Sequence, residues 1–311
     1  MKKCYNPTQH RLQPGFGGNF VFSKEGSMTT EEIGLKQIGI IGLGLMGGSL
    51  ALALKKSGSN CRFIGLDHNP KHCKEALELK IVDEIVDSLD ALSHCDIIIL
   101  TIPVDGIIAV ARQLKPSNPE CTVIDFGSTK AKISASIPEE TRHYFVTAHP
   151  MTGTEKFGPT AALPDLYEGK VVVLCDLEKS GKHQQETAKA LFERLGMKMV
   201  FMGAEEHDRH AAFISHMPHA LSYALANAVM RQEDPESIVA LAGGGFRDMS
   251  RIAKSSPSMW EDIFRQNKSN LIDAIEAFEK ELKYCRTMVE KEEWKALNHW
   301  MKEANTLHDI L

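Results

Sequence analysis

Residues 37–50 read QIGIIGLGLMGGSL. A short apolar run, Ile38 to Ile41, ends in Gly42-x-Gly44-x-x-Gly47, and a helix-forming stretch from Ser49 to Lys56 follows at once. The order is strand, glycine turn, helix start, and each glycine has a task in it. Gly42 permits the tight turn out of the strand, Gly44 lets a pyrophosphate approach backbone that carries no Cβ, and Gly47 lets the helix lie close to the strand. The N–H groups of the helix start, around Leu45 and Met46, and the positive end of the helix dipole attract the phosphates. The next apolar run, CRFIGLD, ends in Asp67, 20 residues beyond Gly47, where a dinucleotide fingerprint wants a carboxylate for the ribose hydroxyls. A glycine-rich turn in some other α/β protein is the plainer alternative; the strand before, the helix after and the acid beyond favour the dinucleotide. A carboxylate repels the extra phosphate of NADP, and His68, Asn69 and Pro70 follow Asp67 in place of an arginine, so the predicted cofactor is NAD.

At 311 residues the chain has room for two ordinary domains, and 43% apolar content supports a globular core. Net charge is −5 with no long basic run, which argues against nucleic acid as a partner. No apolar run approaches the ~20 residues that span a bilayer. Lys2 and Lys3 are not followed by the apolar core of a secretory signal. Seven scattered cysteines without a CxxC pair fit reduced thiols in a cytoplasmic protein better than a disulfide framework.

Residues 1–35, interrupted by Pro7, Pro14, Gly15, Gly17, Gly18 and Gly26, read as a weakly ordered tail without chemistry. Across 36–178, apolar runs alternate with helical stretches. The runs are Ile38–Ile41, Arg62–Leu66, Ile97–Thr101, Thr122–Asp125, Tyr144–Ala148 and Val171–Cys175. Their β-branched content implies strands covered on both faces, hence a Rossmann-type α/β domain with a doubly wound, largely parallel sheet. Residues 179–311 read as a mainly helical domain for substrate binding or dimerisation, after one short strand at Met197–Met202. In such sheets ligands bind beyond the C-terminal strand ends. Those ends are Thr101-Ile102-Pro103-Val104, DFGSTK at 125–130 and HPMTGTE at 149–155, with Thr101 and Pro103 placed beside the cofactor.

His149 follows a strand that ends near the reacting carbon, where an imidazole can take a proton from a hydroxyl as hydride leaves. It can equally be a histidine that hydrogen-bonds a loop. Ser128 can orient His149 or cap the helix that begins after it. His207-Asp208-x-His210 and Ser215-His216-Met217-Pro218-His219 are rich in histidine, but no HExxH and no carboxylate at a metal-ligand spacing accompanies them, so no metal is expected. Gly243-Gly244-Gly245-Phe246-Arg247-Asp248, with Arg251, opens a second glycine-rich helix start whose arginines suit a carboxylate substrate, or merely form surface ion pairs. Trp260 and Phe264 read as core or interface aromatics.

Taken together, GLGLMGGSLA, DFGSTK, HPMTGTEKFG, SHMPHALSYAL and GGGFRDMSRIAKSSPSMW resemble, in order, the prephenate/arogenate dehydrogenase family, over about residues 37 to 290. The resemblance implies NAD-dependent oxidative decarboxylation of prephenate to 4-hydroxyphenylpyruvate in tyrosine biosynthesis. It implies His149 as the polarising base at the ring hydroxyl, Ser128 hydrogen-bonding to it, and Arg251 on the ring carboxylate. His219, with Ser215 and Thr154, would line the substrate pocket. Arg247 stands where some relatives carry Lys, which leaves it as a helper cation. The resemblance further implies a homodimer built by the helical domain and makes tyrosine a feedback ligand to test. Arogenate in place of prephenate stays open, with Glu155 a nearby carboxylate for its amine. A β-hydroxyacid dehydrogenase would need a catalytic Lys in a glycine–asparagine context that is absent here. A non-catalytic NAD sensor would not need His149, Ser128 and Arg251 together.

Overall fold

Successive residues of the apolar runs go to opposite faces of one sheet, as a period of two requires. In β1 (Gln37–Ile41), Ile38 and Ile40 join one core and Ile41 the other. In β4 (Ile97–Leu100), Ile97 and Ile99 join the first and Ile98 and Leu100 the second. A sheet with two apolar faces must carry helices on both. This computed structural model describes residues 36–154 and 156–310; the expected tail at 1–35 and Glu155 lie outside the described residues.

The other strands are β2 (Arg62–Leu66), β3 (Glu84–Ile85), β5 (Thr122–Asp125), β6 (Phe145–Pro150), β7 (Val171–Cys175) and β8 (Lys198–Met202). They form one eight-stranded sheet in the order β3-β2-β1-β4-β5-β6-β7-β8. All neighbours run parallel except β6 and β7. The helices between them are α1 (Leu45–Lys56), α2 (Pro70–Glu78), α3 (Val104–Gln113), α4 (Ala131–Ser136) and α5 (Lys182–Arg194).

The antiparallel step has a visible cause: no long crossover helix separates β6 from β7. The chain returns instead over α1, where Leu163 N–H donates to Ser49 Oγ at 2.8 Å and the Tyr167 hydroxyl to the Met46 carbonyl at 2.7 Å. Gly48 admits this return, since a Cβ there would lie 2.9 Å from Ala162.

The boundary expected at 178/179 falls inside the sheet's stretch of chain, because α5 and β8 follow and β8 pairs with β7. We place the division at Gly203, which precedes α6 (Ala204–Ala211). A π-helical segment, Ala212–His216, joins α6 to α7 (Met217–Met230). Pro218 has no N–H for the Ile214 carbonyl, which disfavours an unbroken α-helix at this join. Then come α8 (Pro235–Ala240), α9 (Gly244–Arg251), α10 (Pro257–Gln266), α11 (Lys268–Glu290) and α12 (Trp294–Asn305).

Candidate active site

Because β1, β2, β4, β5 and β6 are parallel, their C-terminal ends share one edge of the sheet. That edge collects the glycine turn, Asp67, Thr101, Ser128 and His149. The turn is as tight as its glycines require. Gly42 has φ +99°, and a Cβ on Gly47 would lie 2.1 Å from the Gly42 carbonyl oxygen. Nothing lies within 4 Å of where a Cβ on Gly44 would be, so the face meant for a pyrophosphate is open. No side chain caps α1, which leaves the first-turn N–H groups of Leu45 and Met46 without an intrahelical partner.

Asp67 is nearly buried at the end of β2. Its Oδ2 accepts the Leu43 N–H at 2.8 Å and its Oδ1 the Asn69 N–H at 2.8 Å. A carboxylate has about four acceptor directions, so capacity remains for ribose hydroxyls. The donors and the acid therefore fit NAD. Thr101, expected beside the cofactor, donates its hydroxyl to the Gly42 carbonyl at 2.6 Å and so braces the glycine turn. Pro103 is exposed and precedes α3.

On β6, half-buried His149 sets its Nδ1 2.8 Å from His207 Nε2, and His207 Nδ1 lies 2.9 Å from Asp208 Oδ1. Both partners belong to α6, whose buried positions are Ala204, His207, Asp208 and Ala211. This is the i, i+3, i+4, i+7 stripe of an amphipathic helix, with two ionisable residues in it. Asp208 also accepts the N–H groups of Lys130 at 2.7 Å and Ala131 at 2.9 Å, and so caps α4 from a distant part of the chain. Ser128 therefore does not serve as that cap, and among the described residues its hydroxyl makes no hydrogen bond to His149. His207 and Asp208 were legible only as part of a histidine-rich segment; their place on the apolar stripe was the signal that points inward.

A second group continues from the first. Asn267 donates through Nδ2 to the Asp208 carbonyl at 2.6 Å and to His216 Nδ1 at 3.1 Å. His216 meets Trp260 edge-on, and Trp260 stacks on His219 with ring centroids 3.5 Å apart. Trp260 is thus both buried core and the wall behind His219. His219 Nδ1 donates to the Ser215 carbonyl at 2.9 Å. Arg251 closes α9 in an exposed position near enough to act on His219. Arg247 is exposed and donates from Nε to the Ala242 carbonyl at 3.3 Å. Thr154 is exposed, its Oγ1 accepting the Lys156 N–H. Among the described residues no group of three or more His, Cys, Asp or Glu side chains is arranged to hold a metal ion.

Burial sets the charge states. It holds His149 well below the ordinary histidine range, helped by the charges of His207, Lys130 and His216. It lowers His207 against the pull of Asp208, and pushes His216 down to about 4. Burial lowers His219 too, with the Ser215 carbonyl opposing and Arg251 assisting. Burial disfavours an ionised Asp208, but the hydrogen bonds from His207, Ala131 and Lys130 prevail and keep its carboxyl below its usual value. The four histidines are therefore neutral at neutral pH, beside the Asp208 carboxylate and the buried Lys130–Asp125 pair.

A glycine turn with an acid at the end of the next strand, and an uncharged histidine on the same sheet edge, fit a nicotinamide-dependent oxidoreductase. A family model described as prephenate dehydrogenase, nucleotide-binding domain, matches residues 50–201, and one described as prephenate dehydrogenase, dimerization domain, matches residues 203–303. Prephenate dehydrogenase of Bacillus subtilis is 35% identical over 278 residues, covering 88% of this chain and 75% of that protein. The crystal structure of prephenate dehydrogenase from Aquifex aeolicus with hydroxyphenyl propionate and NAD+ superposes with a TM-score of 0.82 at 36% identity, covering 88% of this chain and 97% of that one. Synechocystis arogenate dehydrogenase gives 0.72 at 28% identity, over 88% of this chain and 99% of that one. The chain belongs to the prephenate dehydrogenase family.

Proposed function

We propose that the chain oxidises prephenate with NAD and releases the ring carboxylate as carbon dioxide, giving 4-hydroxyphenylpyruvate. The observation that supports this is the shared edge of five parallel strands, at which the glycine turn, Asp67 and His149 all lie. Bound NAD supplies the hydride acceptor. Asp67 holds the ribose, and the first turn of α1 holds the phosphates. His149 accepts the hydrogen bond of the ring hydroxyl, drawing electron density to oxygen as the hydrogen leaves the same carbon, and returns the proton to the phenol as the ring becomes aromatic. Arg251 pairs with the ring carboxylate until its carbon–carbon bond breaks. Ser128 hydrogen-bonds at the same hydroxyl in this reading, and His219, Ser215 and Thr154 line the side-chain end, with Arg247 as an auxiliary cation.

The protein acts as a homodimer through its helical region, where Ile214, Leu241 and Met249 are 67%, 88% and 65% exposed on a single chain. Cytoplasmic location is supported by the buried cysteines Cys95, Cys121 and Cys175, which are not joined in disulfides. Among the described residues no helix is long and apolar enough to cross a membrane. Tyrosine, which shares the product's ring and hydroxyl, acts as a feedback ligand at or near the same site. A loss of rate at millimolar tyrosine would support that, and an unchanged rate would refute it.

The test of the main reading is the absorbance of reduced cofactor formed from purified protein with prephenate or arogenate, each with NAD or NADP. Reduction of NAD by prephenate is expected. Turnover of arogenate alone would reassign the substrate. No turnover of either, with NAD still bound, would overturn the reading.

A further inference from the structure

We propose that His207, itself oriented by Asp208, determines which ring nitrogen of His149 carries the proton, and thereby leaves Nε2 bare to face the substrate. The inference rests on His149 being the group that meets the ring hydroxyl, and it adds positioning residues from the helical region to that role.

The reasoning runs along one chain of contacts. An ionised carboxylate only accepts hydrogen bonds. Asp208 Oδ1 lies 2.9 Å from His207 Nδ1, so that nitrogen carries hydrogen. His207 is a neutral imidazole, so its other nitrogen, Nε2, has a free lone pair. His149 Nδ1 lies 2.8 Å from that lone pair and must donate to it. His149 then carries its hydrogen on Nδ1, and Nε2 is left as the acceptor. An imidazole without such a partner favours hydrogen on Nε2, which would present a donor to a substrate donor.

Every charged or titratable group facing His149 agrees with this assignment. From α6 come His207 and Asp208; from the start of α4 comes Lys130, paired with Asp125 of β5; from the π-helical segment comes His216. Burial and the Lys130 ammonium resist a second proton on His149; the Asp208 carboxylate, two links away, and Asp125, tied up by Lys130, are the anions on the other side of the balance. Asp208 cannot swing aside, because the N–H groups of Lys130 and Ala131 and the His207 ring hold both its oxygens. The relay also ties catalytic alignment to the seating of α6 against the sheet domain.

Two substitutions at His207 test this without touching the Asp208 cap on α4. His207→Leu removes the acceptor. His207→Gln restores one, since an amide can donate to Asp208 and turn its oxygen toward His149. Nitrogen-15 spectra of the histidine rings read the His149 hydrogen directly, whether or not the enzyme turns over. Nδ1–H is expected in the wild type and in His207→Gln, and Nε2–H in His207→Leu. With prephenate and NAD, kcat should fall by about 100-fold or more in His207→Leu with both KM values within about threefold, and His207→Gln should recover most of the loss. Nε2–H in the wild type, or an unchanged ring and kcat in His207→Leu, would overturn the proposal. A wild type inert toward prephenate, but with Nδ1–H on His149, would instead defeat only the reading of the reaction.

Discussion

Lys130 and Asp125 form an ion pair closed off from water, with the Lys130 ammonium also donating to the Ala148 carbonyl at 2.6 Å, one residue before His149. The pair joins the end of β5 to the strand that carries His149. Burial pushes the Asp125 carboxyl up, and the Lys130 ammonium and the Gly127 N–H pull the other way. Asp125 Oδ1 has no hydrogen-bond partner among the described residues, so the pair is not fully satisfied. Removing one charge should therefore harm far more than removing both. Lys130→Met is expected to destabilise by about 3–5 kcal/mol, and Lys130→Met with Asp125→Leu to regain most of it. Urea unfolding of the two variants decides this, and equal losses would contradict it.

Gly44 and Gly47 separate binding from folding. A Cβ at Gly44 meets nothing within 4 Å, whereas one at Gly47 meets the Gly42 carbonyl at 2.1 Å and Thr101 Oγ1 at 2.6 Å. Gly44→Ala should keep its Tm while raising the KM for NAD about tenfold or more, because the new methyl stands where phosphate approaches. Gly47→Ala should lower Tm as well, since α1 must move off the strand. Thermal melts beside NAD titrations test both; an unchanged NAD affinity in Gly44→Ala would remove the phosphates from this turn.

Much of this architecture was readable before any coordinates. The runs at 38–41, 62–66, 97–101, 122–125 and 171–175 became strands because β-branched residues at period two suit a sheet covered on both faces. β3 was not foreseen: it has two residues at an edge and no apolar run to mark it. The reversal between β6 and β7 follows from how the intervening loop docks on α1, through Tyr167 and Ser49, which no local pattern encodes. The π-helical segment at Ala212–His216 was not legible within the mainly helical 179–311, because a register change keeps the composition of the helices around it. His207 and His149 are 58 residues apart, and only the closing of α6 onto the sheet edge joins them.

Arg251 sits at the end of α9, exposed, where it lowers His219 through its charge. A cation beside His219, and not in the glycine turn, should act on one ligand only. Arg251→Gln is expected to raise the prephenate KM about tenfold or more, the worth of a charge-assisted hydrogen bond, with the NAD KM within about twofold. Steady-state kinetics with each ligand varied in turn will show the split. A matching rise for NAD would place Arg251 elsewhere in the mechanism.

His149 is lowered well below the ordinary histidine range by burial, and further by the neighbouring histidines and the Lys130 ammonium. The form that accepts a hydrogen bond is the unprotonated one, so acid is what extinguishes it. With the proton lost far below pH 6.5, kcat/KM should stay level from about pH 8 down to about pH 6 in place of the midpoint near 6.5 expected of an ordinary histidine. His149→Asn should lower kcat by about 10²–10⁴-fold. Full turnover in that variant would dismiss His149 as the base.

His216 couples the same burial to stability. It is 1% exposed, its Nδ1 accepts from Asn267, and burial pushes it down to about 4 from an ordinary 6.5. The folded protein therefore resists a proton that the unfolded chain takes up readily between those two values. Above pH 6.5 neither state is protonated and the folded state bears no penalty. As pH falls toward 4 the unfolded state binds more protons and stability declines, by about 3 kcal/mol in all from this residue. His149 and His207, lowered in the same direction, add to the slope. Urea midpoints at pH 7.5 and at pH 4.5 should differ in that sense, and His216→Gln, which keeps an acceptor for Asn267 but cannot titrate, should flatten the difference. An equal slope in the variant would mean that the acid sensitivity arises elsewhere.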